Sequence, residues 1–114
     1  KGGYADGVFE AMFAALKPGG LLGVVEHRAT EGTSFDTMVS SGYVTETQVI
    51  KYAQEAGFIL LDKAEINANS LDFKDYPKGV WTLPPSLRMG EVDRDHYLNI
   101  GESDRMTLKF VKPL

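Results

Sequence analysis

Cysteine is absent from the 114-residue sequence, which excludes disulfide bonds and thiol chemistry. No apolar run approaches the roughly twenty residues that a membrane-spanning helix needs. Basic side chains are in the minority, because 12 lysines and arginines stand against 16 aspartates and glutamates. A net charge of −4 without a basic cluster argues against nucleic-acid binding. These absences predict a single cytoplasmic domain over residues 1–114 that engages neither membranes nor nucleic acid.

The first clear pattern is an amphipathic helix that stops abruptly before a strand. Asp6 is expected to cap the helix, and apolar residues then recur at helical spacing. They are Val8, Phe9, Met12, Phe13 and Leu16. Pro18 cannot continue a helix, and Gly19 or Gly20 can adopt the left-handed conformation that ends one. Residues 21–28 open with an apolar run, which predicts a strand covered on both faces in an α/β sheet.

A second helix and a second strand follow a loop predicted over residues 29–42. Thr45 and Gln48 have the spacing of a capping box, in which each side chain binds the other residue's backbone N–H. Gly57 ends the helical pattern. The strand predicted next covers residues 58–65, which begin with an apolar run.

Residues 66–103 are predicted to form a long loop or a substrate lid, because structureless segments of this length in compact domains are usually functional or mobile. The segment holds the single tryptophan, Trp81, among several prolines. Aromatic side chains beside prolines can wall a small-molecule pocket. The alternative is that Trp81 only anchors the segment onto the sheet. A last strand is predicted over residues 104–113 from alternation of apolar and polar positions. The apolar positions are Met106, Leu108 and Phe110.

The order of these elements resembles that of class I S-adenosylmethionine-dependent methyltransferases. The helix end at residues 16–20 (LKPGG), with its following strand, is similar to the turn between that family's fourth helix and fifth strand. Residues 45–58 resemble its fifth helix, and residues 104–113 resemble its last strand. The motifs GVVEHR, EAGF and DRMTLKFVKP are similar to a bacterial branch usually described as predicted methyltransferases. The resemblance implies an α/β fold with a partial Rossmann-like sheet, built as helix–strand–helix–strand–long loop–antiparallel strand.

The resemblance covers only part of the family's domain. The family holds its cofactor with a glycine-rich turn after the first strand and an acidic residue at the end of the second, and neither feature occurs here. The sequence also begins at Lys1 without a methionine. We therefore expect the C-terminal half of a methyltransferase that acts on an unknown small molecule. The missing N-terminal half would bind the S-adenosylmethionine, this segment would contribute no cofactor-binding residues, and the fragment alone would be inactive.

Glu26, His27 and Arg28 are the predicted catalytic residues, because ligands of α/β sheets bind beyond the carboxyl ends of strands. Alternation along the strand places His27 on one face, and Glu26 with Arg28 on the other. His27 can act as a general base for a hydroxyl or amine acceptor. The forked donors of Arg28 can bind an anionic substrate group. The structural alternative is an ion pair between Glu26 and Arg28, with His27 hydrogen-bonded to the backbone.

Tyr43, Trp81 and His96 are the predicted substrate-binding residues. Tyr43 precedes the second helix, with a packing role as its alternative, and the other two lie in the predicted lid. His96 also ends an acidic run, residues 93–96, that offers oxygen and nitrogen ligands. The spacing matches no zinc-helix or EF-hand motif, so no metal is expected.

The resemblance also implies a three-stranded sheet in which the last strand lies between the other two. The strand over residues 21–28 would then be an edge strand. A long apolar edge tends to recruit another chain, so we expect self-association through this edge or through an exchanged helix. The edge also supports an alternative function of another class, a non-catalytic module that binds a partner through the free edge.

Overall fold

The computed structural model describes residues 3–114, with side chains from Gly7 onward. In chain order the elements are α1 (Gly3–Ala15), β1 (Leu21–His27), α2 (Phe35–Ser41), α3 (Glu46–Ala56), β2 (Ile59–Ala64), a 3-10 helix (Gly79–Thr82), α4 (Arg94–Ile100) and β3 (Arg105–Val111). Within this part of the chain, every helix is too short or too polar to pass through a membrane.

Helix α1 ends as predicted but begins earlier. Asp6 lies inside the helix, so its predicted role as N-cap is wrong. After the helix, Gly19 adopts a left-handed conformation with a φ of 82°. The Nζ of Lys112 donates to the carbonyl oxygens of Phe13 and Leu16 at 2.8 and 2.9 Å. A cation thus satisfies acceptors at the C-terminal end of α1 and ties the helix to the residue after β3.

The loop predicted over residues 29–42 contains the short helix α2, so that prediction is wrong in part. Ser34 caps α2 by accepting the N–H of Thr37 at 3.2 Å, and Gly42 ends it with a φ of 79°. None of the seven residues of α2 is buried. A helix this short without a buried face leaves no apolar periodicity for sequence analysis to detect.

One of the two hydrogen bonds predicted for the capping box of α3 is confirmed. The Oγ1 of Thr45 accepts the N–H of Gln48 at 3.1 Å, and Gly57 ends the helix with a φ of 115°. The N–H of Thr45 donates to the Sδ of Met38 at 3.4 Å instead of to Gln48. The start of α3 is therefore joined directly to α2.

The central strand of the sheet is β3, which runs antiparallel to both β1 and β2. This confirms the order expected from the family resemblance. Met106, Leu108 and Phe110 of β3 are at most 1% exposed and form the core with α1 and α3, which cover one surface of the sheet. The other buried members of this core are Phe9, Val24, Val49, Tyr52, Ala53 and Phe58.

The opposite surface of the sheet is partly open in the described structure. Leu21 and Val25 of β1 are 56% and 48% exposed, and Ile59 and Leu61 of β2 are exposed to a similar extent. The prediction that the first strand is covered on both faces is therefore wrong for this chain. Since side chains alternate along a strand, His27 lies on this surface too, at the far end of β1.

Residues 66–103 are folded against the rest of the chain, and they contain the 3-10 helix and α4. The segment has a small core of its own, made of Leu83, Tyr97 and Ile100. Val80 packs separately with Ala29 and Tyr43. The expectation of a wholly irregular loop is therefore wrong.

This packing predicts a large effect of Gly79→Ala on stability. Gly79 has a φ of 60°, and an added Cβ would lie 2.5 Å from the carbonyl oxygen of Ser41. We expect the free energy of unfolding to fall by about 3 kcal/mol or more, from backbone strain and displacement of the segment. Urea denaturation followed by circular dichroism measures this change.

Gly90→Ala is the matched control, because Gly90 has a similar φ of 65° and no described atom within 4 Å of an added Cβ. Its cost should be strain alone, about 1–2 kcal/mol. Equal losses in the two variants would show that residues 66–103 do not pack against the end of α2.

The edge position of β1 leads us to expect self-association of the chain. The carbonyl of Gly20 and the N–H of Arg28 form hydrogen bonds with the residues on either side of β3. In an antiparallel pair every second residue bonds to the partner strand, so the backbone N–H and C=O groups of Leu21, Gly23 and Val25 point away from β3. Gly23→Pro removes one outward N–H, and no described atom lies within 4 Å of an added Cβ there. Light scattering should show oligomers of the wild-type chain at high micromolar concentration and mainly monomers of Gly23→Pro.

Gly23→Ala keeps the outward N–H and should associate like the wild-type chain. A monomeric wild-type chain, or equal association of all three proteins, would contradict pairing through β1.

Candidate functional site

Arg28, the residue after β1, organises the polar end of the sheet. Its Nε and Nη2 donate to the two carboxylate oxygens of Asp104, both at 2.9 Å. Its Nη1 and Nη2 reach Glu65 at 3.1 and 2.7 Å, and Nη1 also donates to Glu46 at 2.7 Å. These bonds match the five N–H donors of a guanidinium group. Lysines add further ion pairs, and we name the whole set the Arg28 network: Arg28, Glu46, Lys63, Glu65, Lys74 and Asp104.

Three members of the Arg28 network, Arg28, Asp104 and Glu65, have pKa values shifted toward their charged forms. Hydrogen bonds to Asp104 and then to Glu65 raise the pKa of Arg28 above its usual value. Burial alone would raise the pKa of Asp104, but hydrogen bonds from Arg28 and Lys74 hold it well below its usual range. The hydrogen bond from Arg28 likewise lowers the pKa of Glu65. These shifts favour the charged forms of Arg28, Asp104 and Glu65 at neutral pH.

These contacts differ from the two sequence-based interpretations of Arg28. The alternative ion pair with Glu26 is wrong, because Arg28 binds three other carboxylates. A substrate anion would have to displace one of them to reach the guanidinium. Glu26 lies on the helix-covered side of the sheet, beside a groove formed with Val8, Phe9 and Met12. Glu26 and Arg28 therefore do not converge with His27 on one site.

Tyr43 is 2% exposed and binds a carboxylate that is almost as deeply buried. Its hydroxyl lies 2.9 and 3.0 Å from the two carboxylate oxygens of Asp72. Burial first, and then the charge of Asp72, raises the pKa of Tyr43 above its usual value. Asp72 also accepts the N–H of Asp104 at 2.9 Å. Asp72 thus connects Tyr43 to the residue before β3, and these contacts suit a packing role for Tyr43.

His27 is held from three directions at the end of β1. Its Nδ1 lies 2.6 Å from the Oγ of Ser103. The ring of Tyr43 packs edge-on against the imidazole, with 6.4 Å between centroids. The carbonyl oxygen of His27 accepts the N–H of Val44 at 2.8 Å. The imidazole therefore binds a hydroxyl group rather than the backbone, which was the structural alternative for this residue.

His27 lines a cleft of about 320 Å³. Trp81 and the Pro84–Pro85 pair line the side contributed by residues 66–103, and Ser103 and Arg105 line the side near β3. A cleft of this volume is in the range of small-molecule pockets. The fold therefore brings together His27 and Trp81, two of the predicted site residues, although they are distant in the sequence.

His96 lies elsewhere, exposed on α4. Its ring contacts that of Tyr97 at 5.4 Å, and it borders a shallow surface depression with neighbouring polar residues. It does not share the cleft of His27 and Trp81. Among the side chains described from residue 7 onward, no three His, Asp or Glu groups are arranged to hold a metal ion.

The described residues also do not form the cofactor site that the family resemblance implies. Such a site needs several glycines between a strand and the start of a helix. The left-handed Gly19, Gly42 and Gly57 instead follow α1, α2 and α3. Gly32, between β1 and α2, stands alone with open space around it. No residue of the described chain is therefore assigned to S-adenosylmethionine.

Sequence reasoning missed Ser103, Asp104 and Asp72. For the first two a signal existed, because an antiparallel last strand places the residues before it opposite the residues at the end of β1. The observed register pairs His27 with Arg105, which leaves Arg28 beside Asp104. Asp72 offers no comparable signal, since its position depends on how residues 66–103 fold back onto the sheet.

The lowered pKa of Asp104 predicts acid-sensitive stability. A carboxylate whose pKa is lower in the folded state stabilises the fold above its unfolded pKa of ~3.9, and this stabilisation is lost as the pH falls below that value. Asp104→Asn should lower the free energy of unfolding at pH 7 by about 2–4 kcal/mol, because Arg28 and Lys74 lose a charged partner. The further loss between pH 7 and pH 3 should be smaller in Asp104→Asn than in the wild-type chain.

Urea denaturation at the two pH values measures both effects. Glu55→Gln, on the exposed face of α3, is the control and should follow the wild-type chain. An acid-induced loss of the same size in Asp104→Asn and in the wild-type chain would contradict a stabilising role for the Asp104 charge.

Comparisons with known proteins give a structural likeness but no match in sequence. Neither a protein-family profile nor a curated protein sequence matches this chain. Among solved structures, the [4+2]-cyclase SpnF superposes on 96% of the chain with a TM-score of 0.52 and 19% sequence identity. The match covers 44% of SpnF, so this chain spans less than half the length of that protein. Because SpnF has a methyltransferase-like fold, the likeness supports a partial fold of this type for the chain.

Proposed function

We propose that this chain is the C-terminal half of an S-adenosylmethionine-dependent methyltransferase that acts on a small molecule, with the cleft beside His27 on its substrate side. The observation that carries the proposal is the pairing of a methyltransferase-like fold with a histidine that lines a cleft of small-molecule size. The chain alone is proposed to be inactive, because its described residues form no cofactor site.

In this proposal His27 is the general base of the substrate site. Its Nδ1 is engaged by Ser103, which leaves Nε2 to accept a proton from a hydroxyl or amine group in the cleft. Trp81 would contact the body of the substrate. Arg28 and Tyr43 would act at a distance, by fixing the end of β1, where His27 lies, and the residues next to it.

The cofactor test compares two lengths of protein. Calorimetry with S-adenosylmethionine should give no binding heat for the 114-residue chain. A longer reading frame that adds a glycine-rich strand–turn–helix should bind the cofactor at micromolar concentrations. His27→Gln in the longer protein should lower kcat by about 10²–10⁴-fold and leave cofactor affinity unchanged.

Cofactor binding by the longer protein with no effect of His27→Gln on turnover would remove His27 from the chemistry. No cofactor binding, or a reading frame without the glycine-rich unit, would overturn the proposal. Either result would favour the alternative function, a non-catalytic module that binds a partner through the edge of β1.

The likeness to SpnF favours a second candidate, a cyclisation instead of a methyl transfer. The two reactions differ in what is consumed. Methyl transfer converts S-adenosylmethionine into S-adenosylhomocysteine in step with product, whereas a cyclisation forms product without consuming a methyl donor. Mass spectrometry of a turnover mixture therefore separates the two candidates.

A further inference from the structure

We infer that the cleft beside His27 binds a neutral aromatic ring that carries a hydroxyl group, and that Ser103 is the residue that positions His27 toward it. The inference rests on the proposed function for its biological meaning. The binding itself depends only on the cleft, and it can be measured without a cofactor or any turnover.

One wall of the cleft suits a flat apolar ring. Trp81 is 40% exposed, which leaves much of a large aromatic surface uncovered beside the Pro84–Pro85 pair. Aromatic rings stack on exposed indole surfaces, and proline rings give a rigid apolar surface. Val80, which is 7% exposed, lines the cleft as well and adds apolar surface. The wall therefore favours a ring over a flexible polar chain.

The other wall suits a neutral polar edge. Glu102 and Arg105 both line the cleft, and they neutralise each other through an ion pair of 3.2 Å. The other polar groups that line the cleft are the imidazole of His27 and the hydroxyl groups of Ser86 and Ser103. A ligand with a net charge would find no uncompensated opposite charge among these residues, so a neutral ligand is favoured.

Ser103 engages one ring nitrogen of His27 and leaves the other for a ligand. Ser103 is 4% exposed, and its Oγ lies 2.6 Å from Nδ1. When Nδ1–H donates to this oxygen, the lone pair of the neutral imidazole is on Nε2. In that tautomer Nε2 accepts a hydrogen bond from the ligand hydroxyl. Ser103 touches the histidine rather than the reacting atoms, so it is a positioning residue.

Arg105 supplies a second feature that points to a ligand with an acceptor oxygen. Its Nε is buried without a hydrogen-bond partner in the described structure, although the residue lines the cleft. A buried donor without a partner is unfavourable. A shift of the Arg105 side chain toward a carbonyl oxygen on the ligand ring would satisfy this donor.

Trp81 provides the readout, because it is the only tryptophan of the sequence. Quenching of its fluorescence is measured with 4-hydroxybenzamide and with benzamide, which lacks the hydroxyl group. We expect 4-hydroxybenzamide to bind about tenfold more tightly, the effect of one net hydrogen bond. The anionic 4-hydroxybenzoate should bind more weakly than 4-hydroxybenzamide.

The variants assign the preference to named atoms. His27→Phe keeps a ring but removes Nε2, so both benzamides should bind with equal affinity. Ser103→Ala should reduce the preference for the ligand hydroxyl group and shift the nitrogen-15 signals of His27 toward the other tautomer. Ser103→Thr keeps a hydroxyl group, so its ligand preference and its nitrogen-15 signals should stay near the wild-type values. A purely structural serine would leave the tautomer signals unchanged. His96→Gln assigns the signals, since the sequence has only two histidines.

Equal affinities of the two benzamides for the wild-type chain, or no quenching by either, would overturn the inference without any variant. Failure of the longer protein to bind S-adenosylmethionine would leave the ring preference intact and would count against the proposed function alone. The reverse result, cofactor binding without a hydroxyl preference, would overturn only the inference made here.

Discussion

The end of the sheet depends on one guanidinium group that satisfies three carboxylates at once. Arg28 follows β1, Glu65 follows β2, Asp104 precedes β3 and Glu46 begins α3, so a single side chain joins all three strands to a helix. Lysine could not do this, because its ammonium is a point charge without the planar fork. The Arg28 network is also balanced, with three cations and three anions. Balance matters because partly buried charges destabilise a fold unless each has a partner.

His27 and Arg28 are adjacent but have different roles, because successive side chains of a strand point to opposite faces of the sheet. Arg28 faces the helix-covered side, where the start of α3 supplies a carboxylate. His27 faces the other side, where residues 66–103 supply Trp81 and the prolines. The division could be predicted from alternation alone. The roles could not, because a forked donor suits a substrate anion and a structural carboxylate equally well. The partners that decide between them lie far along the chain.

The sequence was most informative where the signal is local. Thr45, Gly57 and the turn at Gly19 act within a few residues, and each was found in its predicted place. The order of the sheet came from the family resemblance and was confirmed as well. Helix α2 was missed because it buries none of its residues, and Asp6 was misplaced because helix starts are weakly marked. The cleft was beyond prediction, since Ser103 and Trp81 meet His27 only after residues 66–103 fold back onto the sheet.

The contacts of His27 fix the orientation of its imidazole ring. Asp72 binds both the hydroxyl of Tyr43 and the N–H of Asp104, so the residue that packs against the imidazole is tied to the strand next to it. Ser103 holds one ring nitrogen directly. Ordering these buried polar groups costs conformational entropy, and an apolar residue at this position would not need them. These contacts support the proposed role of His27, because a catalytic or binding group works best when its geometry is set before the ligand arrives.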